Sequence, residues 1–290
     1  MFVKLKAYVR LFRIKHYLKN GLIFLPLFFS RQIWVSQKLL SAFWGMCAFC
    51  FVSSIVYIFN DLKDVEKDKQ HPTKKFRPIA SGEVKPKSAI LCMIALLLFS
   101  FVFNMLAEGF LTSFLLLMGY LLLNIFYSLG LKNKPLVDIV ILASGFTIRV
   151  VYGAVITDVV VSNWMYLTVF SGSFYMGFGK RRNELRLTGK NGDTRTVLKY
   201  YTYSFLDKNM YVCLALVDVF YALWAMQISE NNTPHFILTV PIIMILLMKY
   251  SLDIESDSDG DPIEVIFHDK ILMILAILYA VCLVSMFYIL

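Results

Sequence analysis

Long apolar stretches alternate with short charged segments along the whole chain of 290 residues. Each stretch holds about the twenty apolar residues that a helix needs to cross the hydrocarbon core of a bilayer. The pattern predicts an all-α, polytopic membrane protein in which residues 1–290 form a single domain of about nine transmembrane helices. The predicted spans are residues 20–37, 39–59, 88–107, 110–130, 136–156, 164–179, 210–228, 236–250 and 270–290.

The first nineteen residues are basic, and their cations recur at spacings typical of an amphipathic helix on a membrane surface. We therefore predict a basic amphipathic segment over residues 1–19 that is not a cleavable signal peptide and that stays in the cytoplasm. Its basic residues are Lys4, Lys6, Arg10, Arg13, Lys15 and Lys19.

The composition excludes an ordinary soluble protein, because 58% of the residues are hydrophobic and only 17% are charged. With the N-terminus inside, every Lys and Arg except Arg31, Lys38 and Arg149 falls on the cytoplasmic side of the predicted topology. This distribution predicts a multi-pass protein of the cell inner membrane. It also explains the net charge of +9 without a nucleic-acid partner.

Two charged segments, residues 60–87 and 180–209, follow the second and sixth predicted spans. They lie four helices apart, as an approximate internal repeat of a four-helix unit would place them. We expect both to be cytoplasmic loops above one central cavity, and we interpret them as the catalytic loops.

The run from Asn60 to Asp68 carries the strongest chemical signal. Asn60, Asp64 and Asp68 are spaced four apart, so on a helix they share one face, with Asp61 close beside them. Mg²⁺ takes one or two protein carboxylates and completes its shell with phosphate oxygens and water. We predict that Asp61, Asp64 and Asp68 bind Mg²⁺; the alternative is a solvated acidic helix end balanced by neighbouring lysines.

The next segment, from His71 to Gly82, contains two prolines and a glycine and is therefore predicted to be a loop. Its cations Lys74, Lys75 and Arg77 would lie above the acidic run and bind phosphate that the metal only partly neutralises. A basic loop that only fixes the topology would explain these charges but not their position beside the acids.

The fifth predicted span contains Asp138 and Arg149, eleven residues apart and so on one helix face. An arginine at the middle of a membrane costs at least about 2.5–3.5 kcal/mol, so Arg149 should face a cavity or a partner. Asp218 is its candidate partner. Structural pairing and substrate contact remain equal alternatives for Arg149, whereas Asp138 is placed in the site.

The residues from Asn60 to Asp68, followed by the sequence HPTKKFRPIASG, resemble the first signature of the UbiA prenyltransferase superfamily. The continuation is similar to the branch that includes decaprenyl-phosphate phosphoribosyltransferase. The resemblance covers most of the chain and implies that the central cavity, which we expect to open to the cytoplasm, also opens laterally to the lipid. Further substrate-binding positions implied by it are Arg13, Lys19, Asn20, Asn60, Tyr127, Lys132, Asp138, Arg149, Lys180, Arg181, Arg182 and Glu184.

The chain departs from the family at the second acidic signature, where Lys180, Arg181 and Arg182 stand instead. A basic cluster here suits a donor that has an additional phosphate besides its diphosphate, as phosphoribosyl pyrophosphate does. The resemblance therefore implies Mg²⁺-dependent transfer of 5-phosphoribosyl to a polyprenyl phosphate, with release of diphosphate, in the synthesis of a cell-envelope glycan precursor. The alternative for the basic cluster is ordinary cytoplasmic charge.

Two rival functions remain open. A conventional prenyltransferase would move a prenyl chain from its diphosphate onto an aromatic acceptor, but it should carry the second acidic signature. A transporter could use Arg149 and an intramembrane aspartate for ion coupling, but it would not need the acidic run beside a basic loop. The sequence leaves the formation of a homo-oligomer open.

Overall fold

The computed structural model describes residues 2–188, 196–230, 235–255, 265–266 and 268–288. These residues form helices and connecting turns without a strand, which confirms the all-α prediction. The helices are α1 (Phe2–Phe12), α2 (Leu25–Phe29), α3 (Ser36–Lys63), α4 (Val65–Gln70), α5 (Pro86–Met105), α6 (Phe110–Leu129), α7 (Val137–Thr157), α8 (Asn163–Thr188), α9 (Tyr203–Glu230), α10 (Thr239–Ile254) and α11 (Lys270–Tyr288). Shorter 3-10 segments cover Ile14–Phe24, Lys74–Phe76, Leu131–Asn133, Thr196–Tyr200 and Phe236–Leu238.

Seven helices of the described chain are long and apolar enough to cross a membrane, so the protein is a multi-pass membrane protein but the count of nine is not confirmed. The helix α8, at the sixth predicted span, is long enough but mixes small polar residues with the charges of its C-terminal end. The seven are α3, α5, α6, α7, α9, the helical stretch Phe236–Ile254 and α11.

The N-terminal region differs from its prediction in two respects. The surface helix expected over residues 1–19 ends at Phe12, because Arg13 adopts the left-handed conformation with φ 52° and ψ 50°. The span expected over residues 20–37 is not one helix but the end of the 3-10 segment Ile14–Phe24, the short α2 and a turn. A residue in the left-handed conformation cannot continue a right-handed helix, which explains the break.

The chain divides into two compact units, each described here by itself. The first comprises residues 1–131 and 148–160 and is organised around α3, whose apolar window is the most buried of the seven. Side chains of α3 such as Phe49, Val52 and Ile58 pack with Tyr120 of α6 and Tyr152 of α7. Helices α5 and α6 leave most of their apolar surface exposed, as helices that contact lipid do.

The segment Ile14–Phe24 runs antiparallel to α3 within this first unit. The hydroxyls of Tyr17 and Ser54 share a hydrogen bond of 2.6 Å, and the amide of Asn20 donates to the Cys50 sulfur at 3.1 Å. These paired positions run in opposite directions along the two segments. The segment Ile14–Phe24 is therefore packed within the first unit. Of the basic surface helix predicted over residues 1–19, only α1 remains.

The second unit comprises residues 132–147 and 161–290. Its apolar core is formed chiefly by α8, α9 and α10, with Tyr175, Met210, Tyr250 and Ile254 among the most buried side chains. The helix α8 extends through Lys180 to Thr188, so the start of the predicted loop 180–209 is helical. Of that loop, residues 189–195 lie outside the described part of the chain.

A substitution at Gly153 of α7 tests whether the segment Ile14–Phe24 packs against α7. A Cβ added to Gly153 would lie 2.0 Å from the carbonyl oxygen of Ile23, an impossible contact with backbone. We expect Gly153→Ala to destabilise the protein by about 1–3 kcal/mol, as overpacking against a fixed backbone does. Thermal unfolding of the purified protein in detergent measures the loss.

Gly119→Ala in α6 is the matched control, because nothing lies within 4 Å of a Cβ at that helical glycine. We expect it to leave stability unchanged or to raise it slightly, since alanine favours a helix over glycine by about 1 kcal/mol. Equal unfolding temperatures for the two variants would show that the segment does not contact α7 as described.

Candidate active site

The acidic run lies where α3 ends. The helix stops at Lys63, Asp64 takes φ −99° and ψ 11°, and α4 begins at Val65. Two backbone hydrogen bonds, from the amide of Asp64 to Asn60 and from that of Asp68 to Asp64, still link the two helices. The predicted single helical face is thus broken at Asp64, although the chain keeps its direction.

Two arginines join Asp61 and Asp68 at this break. Arg13 donates to Oδ1 of Asp61 at 2.6 Å, and Nη1 of Arg77 lies 3.1 Å from the same oxygen and 2.7 Å from Oδ2 of Asp68. The two carboxylate side chains are only 3% and 5% exposed, whereas the two arginines are 22% and 24% exposed. Arg13 also stacks on the ring of Tyr57, with 4.7 Å between guanidinium and ring centre.

The donor set is suited to Mg²⁺ only if substrate phosphates complete the shell. Within the described residues, no three His, Cys, Asp or Glu side chains lie where they could hold a metal, so the predicted triple set of Asp61, Asp64 and Asp68 is not assembled. The structure instead brings Asp61 and Asp68 together, because Nη1 of Arg77 donates a hydrogen bond to each carboxylate. Two carboxylates are the number that Mg²⁺ commonly takes when phosphates and water supply its other ligands.

The basic loop after α4 does lie beside the acids, as predicted, but its cations differ in position. Arg77 binds both carboxylates, Lys74 is half-buried in the turn Lys74–Phe76, and Lys75 is exposed with its ammonium 5.2 Å from the centre of the Phe76 ring. His71, which sequence reasoning left unassigned, caps this turn: its Nδ1 accepts from the backbone amide of Lys74 at 3.3 Å.

The capping bond requires an unprotonated Nδ1 on His71. Partial burial of the ring and the nearby Lys74 hold the pKa of His71 below its ordinary value, so the acceptor form is favoured near neutral pH. The capped turn fixes the backbone that carries Lys74 and Arg77.

Other predicted positions of the first unit lie at its periphery. Asn60 accepts a hydrogen bond from the Ser128 hydroxyl at 3.4 Å, at the C-terminal end of α6. Tyr127 lies beside Ser128 on α6 and is half-buried, as is Lys19 in the N-terminal segment. Lys132 is half-buried in the turn Leu131–Asn133 and belongs to the second unit.

Arg149 is paired in the core of the first unit. Its Nε donates to Oδ1 of Asn20 at 2.7 Å and its Nη2 donates to the Tyr120 hydroxyl at 3.1 Å. The guanidinium also lies 4.8 Å from the centre of the Phe49 ring. The pairing of Arg149 with Asp218, which belongs to the second unit, stays a prediction; Oδ1 of Asp218 is buried without a hydrogen-bond partner among the described residues. These contacts give Arg149 a structural pairing within the first unit, and its contact with substrate stays a prediction.

In the second unit, Arg181 and Asp138 form a fully buried ion pair. Nε of Arg181 donates to Oδ2 of Asp138 at 2.5 Å, and both side chains are 0% exposed. Nη1 of Arg181 donates to Glu184 at 2.6 Å. Tyr201 donates its hydroxyl proton to the other oxygen of Asp138 at 2.6 Å, and burial together with this bond raises the pKa of Tyr201.

Arg182 is also paired with acids. Its Nε donates to Asp207 at 2.7 Å and its Nη2 to Glu255 at 3.0 Å, while its guanidinium stacks on the Tyr203 ring at 4.7 Å. Both arginines are thus paired with carboxylates, of which only Asp138 is fully buried, and their binding of a sugar phosphate stays a prediction. Lys180, one position earlier on α8, is half-buried.

Sequence reasoning missed Asp207, Glu255 and Tyr201 as members of this second cluster. Glu255 is 73 residues from Arg182, and no local spacing joins the two. A usable signal did exist for Asp207, since an acid in a basic segment beside an apolar helix should pair with one of its cations.

The UbiA prenyltransferase family matches residues 22–271. The chain belongs to this family. The resemblance drawn from the acidic run and the basic loop is thereby confirmed, and with it the expectation of a membrane-embedded transferase. The rival of a transporter has no support from this family assignment.

Curated relatives extend the match over nearly the whole chain. A decaprenyl-phosphate phosphoribosyltransferase from Corynebacterium glutamicum is 31% identical over 287 residues, covering 97% of this chain and 86% of the relative. A protein of the same name from Mycolicibacterium smegmatis is 34% identical over 239 residues, covering 78% of this chain and 74% of the relative.

The UbiA fold is also shared with a solved structure. A UbiA homolog from Archaeoglobus fulgidus bound to GPP and Mg²⁺ superposes with a TM-score of 0.73 at 21% identity. The match covers 96% of this chain and 99% of that one. That homolog was solved with Mg²⁺ bound.

Asp138 belongs to a fully buried ion pair in this UbiA member, and its contact with substrate stays a prediction. We expect Asp138→Ala to destabilise the protein by about 3–5 kcal/mol, because it leaves the Arg181 guanidinium buried beside only one remaining acid. Glu66→Ala is the control: it breaks an ion pair with Lys69 in which Glu66 is 81% exposed, and it should change little. Denaturation of both variants in detergent micelles distinguishes them, and a small effect of Asp138→Ala would contradict the burial described.

Proposed function

We propose that this UbiA member transfers 5-phosphoribosyl from phosphoribosyl pyrophosphate to a polyprenyl phosphate of the decaprenyl type, with release of diphosphate. The observation that carries the proposal is the identity of 31% over 287 residues to a relative named for that reaction. The second named relative, at 34% identity, supports the same assignment. The first match covers 97% of this chain and therefore includes the acidic run and the basic loop that follows it.

The first-unit site supplies the groups that such a donor needs. Asp61 and Asp68 would hold Mg²⁺ through carboxylate oxygens, and the metal would neutralise the departing diphosphate. Arg13 and Arg77 lie against the same carboxylates and can donate to phosphate oxygens, which accept charge-assisted hydrogen bonds well. Lys75, exposed in the capped turn, adds a cation for the donor's remaining phosphate.

The acceptor needs no catalytic base from the protein. A polyprenyl phosphate already carries an anionic oxygen, so it can attack the anomeric carbon without a general base. The carbon bond to the diphosphate oxygen breaks as the new carbon–oxygen bond forms. The role of the chain's own residues is then to hold the donor, shield it from water and fix its orientation.

Because Arg181 and Arg182 of the second unit are paired with acids, the observations that support phosphoribosyl pyrophosphate as the donor change. Arg181 and Arg182 are bound to Asp138, Glu184, Asp207 and Glu255, so their charge is no argument for an additional donor phosphate. The proposal therefore depends on the named relatives, and the conventional prenyltransferase remains its competitor. We assign Arg181 and Arg182 to the structural support of α8.

We further propose that the site faces the cytoplasm in the cell inner membrane. The support is the concentration of Lys and Arg in residues 1–19, 60–87 and 180–209, which the positive-inside rule assigns to the cytoplasmic side. A cytoplasmic site also gives access to a water-soluble phosphorylated sugar, while the lipid acceptor enters from the bilayer. The product would be a lipid-linked sugar for envelope glycan synthesis.

The donor can be decided by a paired assay on the purified protein with Mg²⁺. One reaction contains radiolabelled phosphoribosyl pyrophosphate and polyprenyl phosphate; the other contains radiolabelled prenyl diphosphate and 4-hydroxybenzoate. We expect label in the lipid product of the first reaction only. Label transferred in the second reaction only would replace the proposal with a conventional prenyltransferase.

The two carboxylates should be essential for the reaction. We expect Asp61→Asn and Asp68→Asn each to lower turnover by at least about a hundredfold, because even the outer partners of metal ligands typically cost ten- to a hundredfold when removed. EDTA should abolish wild-type turnover, and added Mg²⁺ should restore it. Glu66→Gln, on the exposed side of α4, is the control and should retain activity. Full activity in EDTA would contradict a metal-dependent mechanism.

A further inference from the structure

Arg13 and Arg77 occupy the carboxylates where a metal would bind. Both donate to Oδ1 of Asp61, and Arg77 also donates to Asp68, so two guanidinium groups neutralise two buried acids. Burying a carboxylate without a partner costs free energy, so these two acids need a partner when no ligand is bound. The arginines thus have a stabilising role before any substrate arrives.

We propose that Arg13 and Arg77 substitute for the metal until the donor binds, and that they then move their N–H donors from Asp61 and Asp68 to the diphosphate oxygens. This inference rests on the proposed use of a magnesium diphosphate, and it adds an order to the binding. Mg²⁺ alone enters poorly because the two guanidinium groups repel it and hold its ligands. Metal and diphosphate enter together because the diphosphate accepts the displaced arginines.

The two arginines are built for such an exchange, in contrast to the arginines of the second cluster. Arg13 and Arg77 are 22% and 24% exposed, so their guanidinium groups reach the open side of the site. Arg181 is 0% exposed and enclosed by Asp138 and Glu184. An enclosed ion pair cannot change partners without opening the fold, whereas a partly exposed one needs only a side-chain rotation.

Arg13 has a further property that favours movement. Its backbone is left-handed, a conformation that costs roughly 1–3 kcal/mol for a residue other than glycine. The residue joins α1 to the segment Ile14–Phe24, and its guanidinium stacks on the ring of Tyr57. This strained joint holds a cation 2.6 Å from the buried carboxylate of Asp61.

The exchange predicts a reciprocal coupling between metal and diphosphate. If the diphosphate increases the affinity for the metal by some factor, the metal must increase the affinity for the diphosphate by the same factor. Removing an arginine should weaken this coupling, because the metal alone should bind more tightly while the diphosphate loses a donor. A purely structural arginine would produce neither change.

Equilibrium dialysis of the full-length protein in detergent, with radioactive Mn²⁺ as the probe metal and inorganic pyrophosphate as the probe diphosphate, tests the coupling. Wild-type protein should bind Mn²⁺ weakly alone and at least about tenfold more tightly with pyrophosphate in both chambers. Arg77→Gln should bind Mn²⁺ alone about ten- to a hundredfold more tightly than wild type, the range expected for one charge-assisted bond. Arg13→Gln should change binding in the same direction and is the second variant if Arg77→Gln does not fold.

Two matched variants separate this exchange from a general effect of charge. Lys69→Gln removes a cation from the same segment, but Lys69 is half exposed and pairs with Glu66, so metal binding should not change. Arg77→Lys keeps the charge and should retain most of the coupling. These readouts do not involve group transfer, so the inference survives if the paired assay shows that the transferred group is a prenyl chain.

Three outcomes would overturn the inference. Wild-type protein that binds Mn²⁺ equally well with and without pyrophosphate has no coupling to explain. Weaker metal binding in both arginine variants would mean that the arginines only orient the carboxylates. Loss of folding in both variants, detected by aggregation in size-exclusion chromatography, would show that the arginines cannot leave the carboxylates at all.

Discussion

A charged side chain inside a membrane protein has no bulk water to solvate it, so each one must find a partner within the protein. This constraint arranges the polar interior of the chain. Arg149 ties the N-terminal segment to α6 and α7 through Asn20 and Tyr120, and Arg181 ties α8 to α7 through Asp138. The apolar faces supply most of the packing energy, but the paired charges determine which faces meet.

The apolar pattern predicted most helices because a membrane span needs only length and hydrophobicity, both of which are local properties. The predicted span 110–130 is α6 within one residue, and 136–156 differs from α7 by one residue at each end. Prediction failed where geometry depends on distant contacts. Residues 20–37 have enough apolar character for a helix, yet the left-handed Arg13 and contacts to α3 and α7 make this region a 3-10 segment, a short helix and a turn.

The candidate site shows the same division between local and distant information. Asp61, Asp68 and Arg77 lie within 17 residues of one another in the sequence, and their approach could be predicted from spacing and turn signals. Arg13 was indicated only by family resemblance, since 48 residues separate it from Asp61. The pairing of Arg182 with Glu255 had no signal in a single sequence. Charge counts could not show which of the basic residues are already paired with acids.

The antiparallel packing of Ile14–Phe24 has a consequence for the order in which the protein is assembled. Asn20 leaves the ribosome 129 residues before Arg149, its partner in the core. At ordinary rates of synthesis the delay is roughly 6 to 26 seconds. Throughout that time the segment can pack against α3, which is made soon after it, but Asn20 lacks its partner on α7. The contacts of the earliest part of the chain are therefore completed only when α7 has been made.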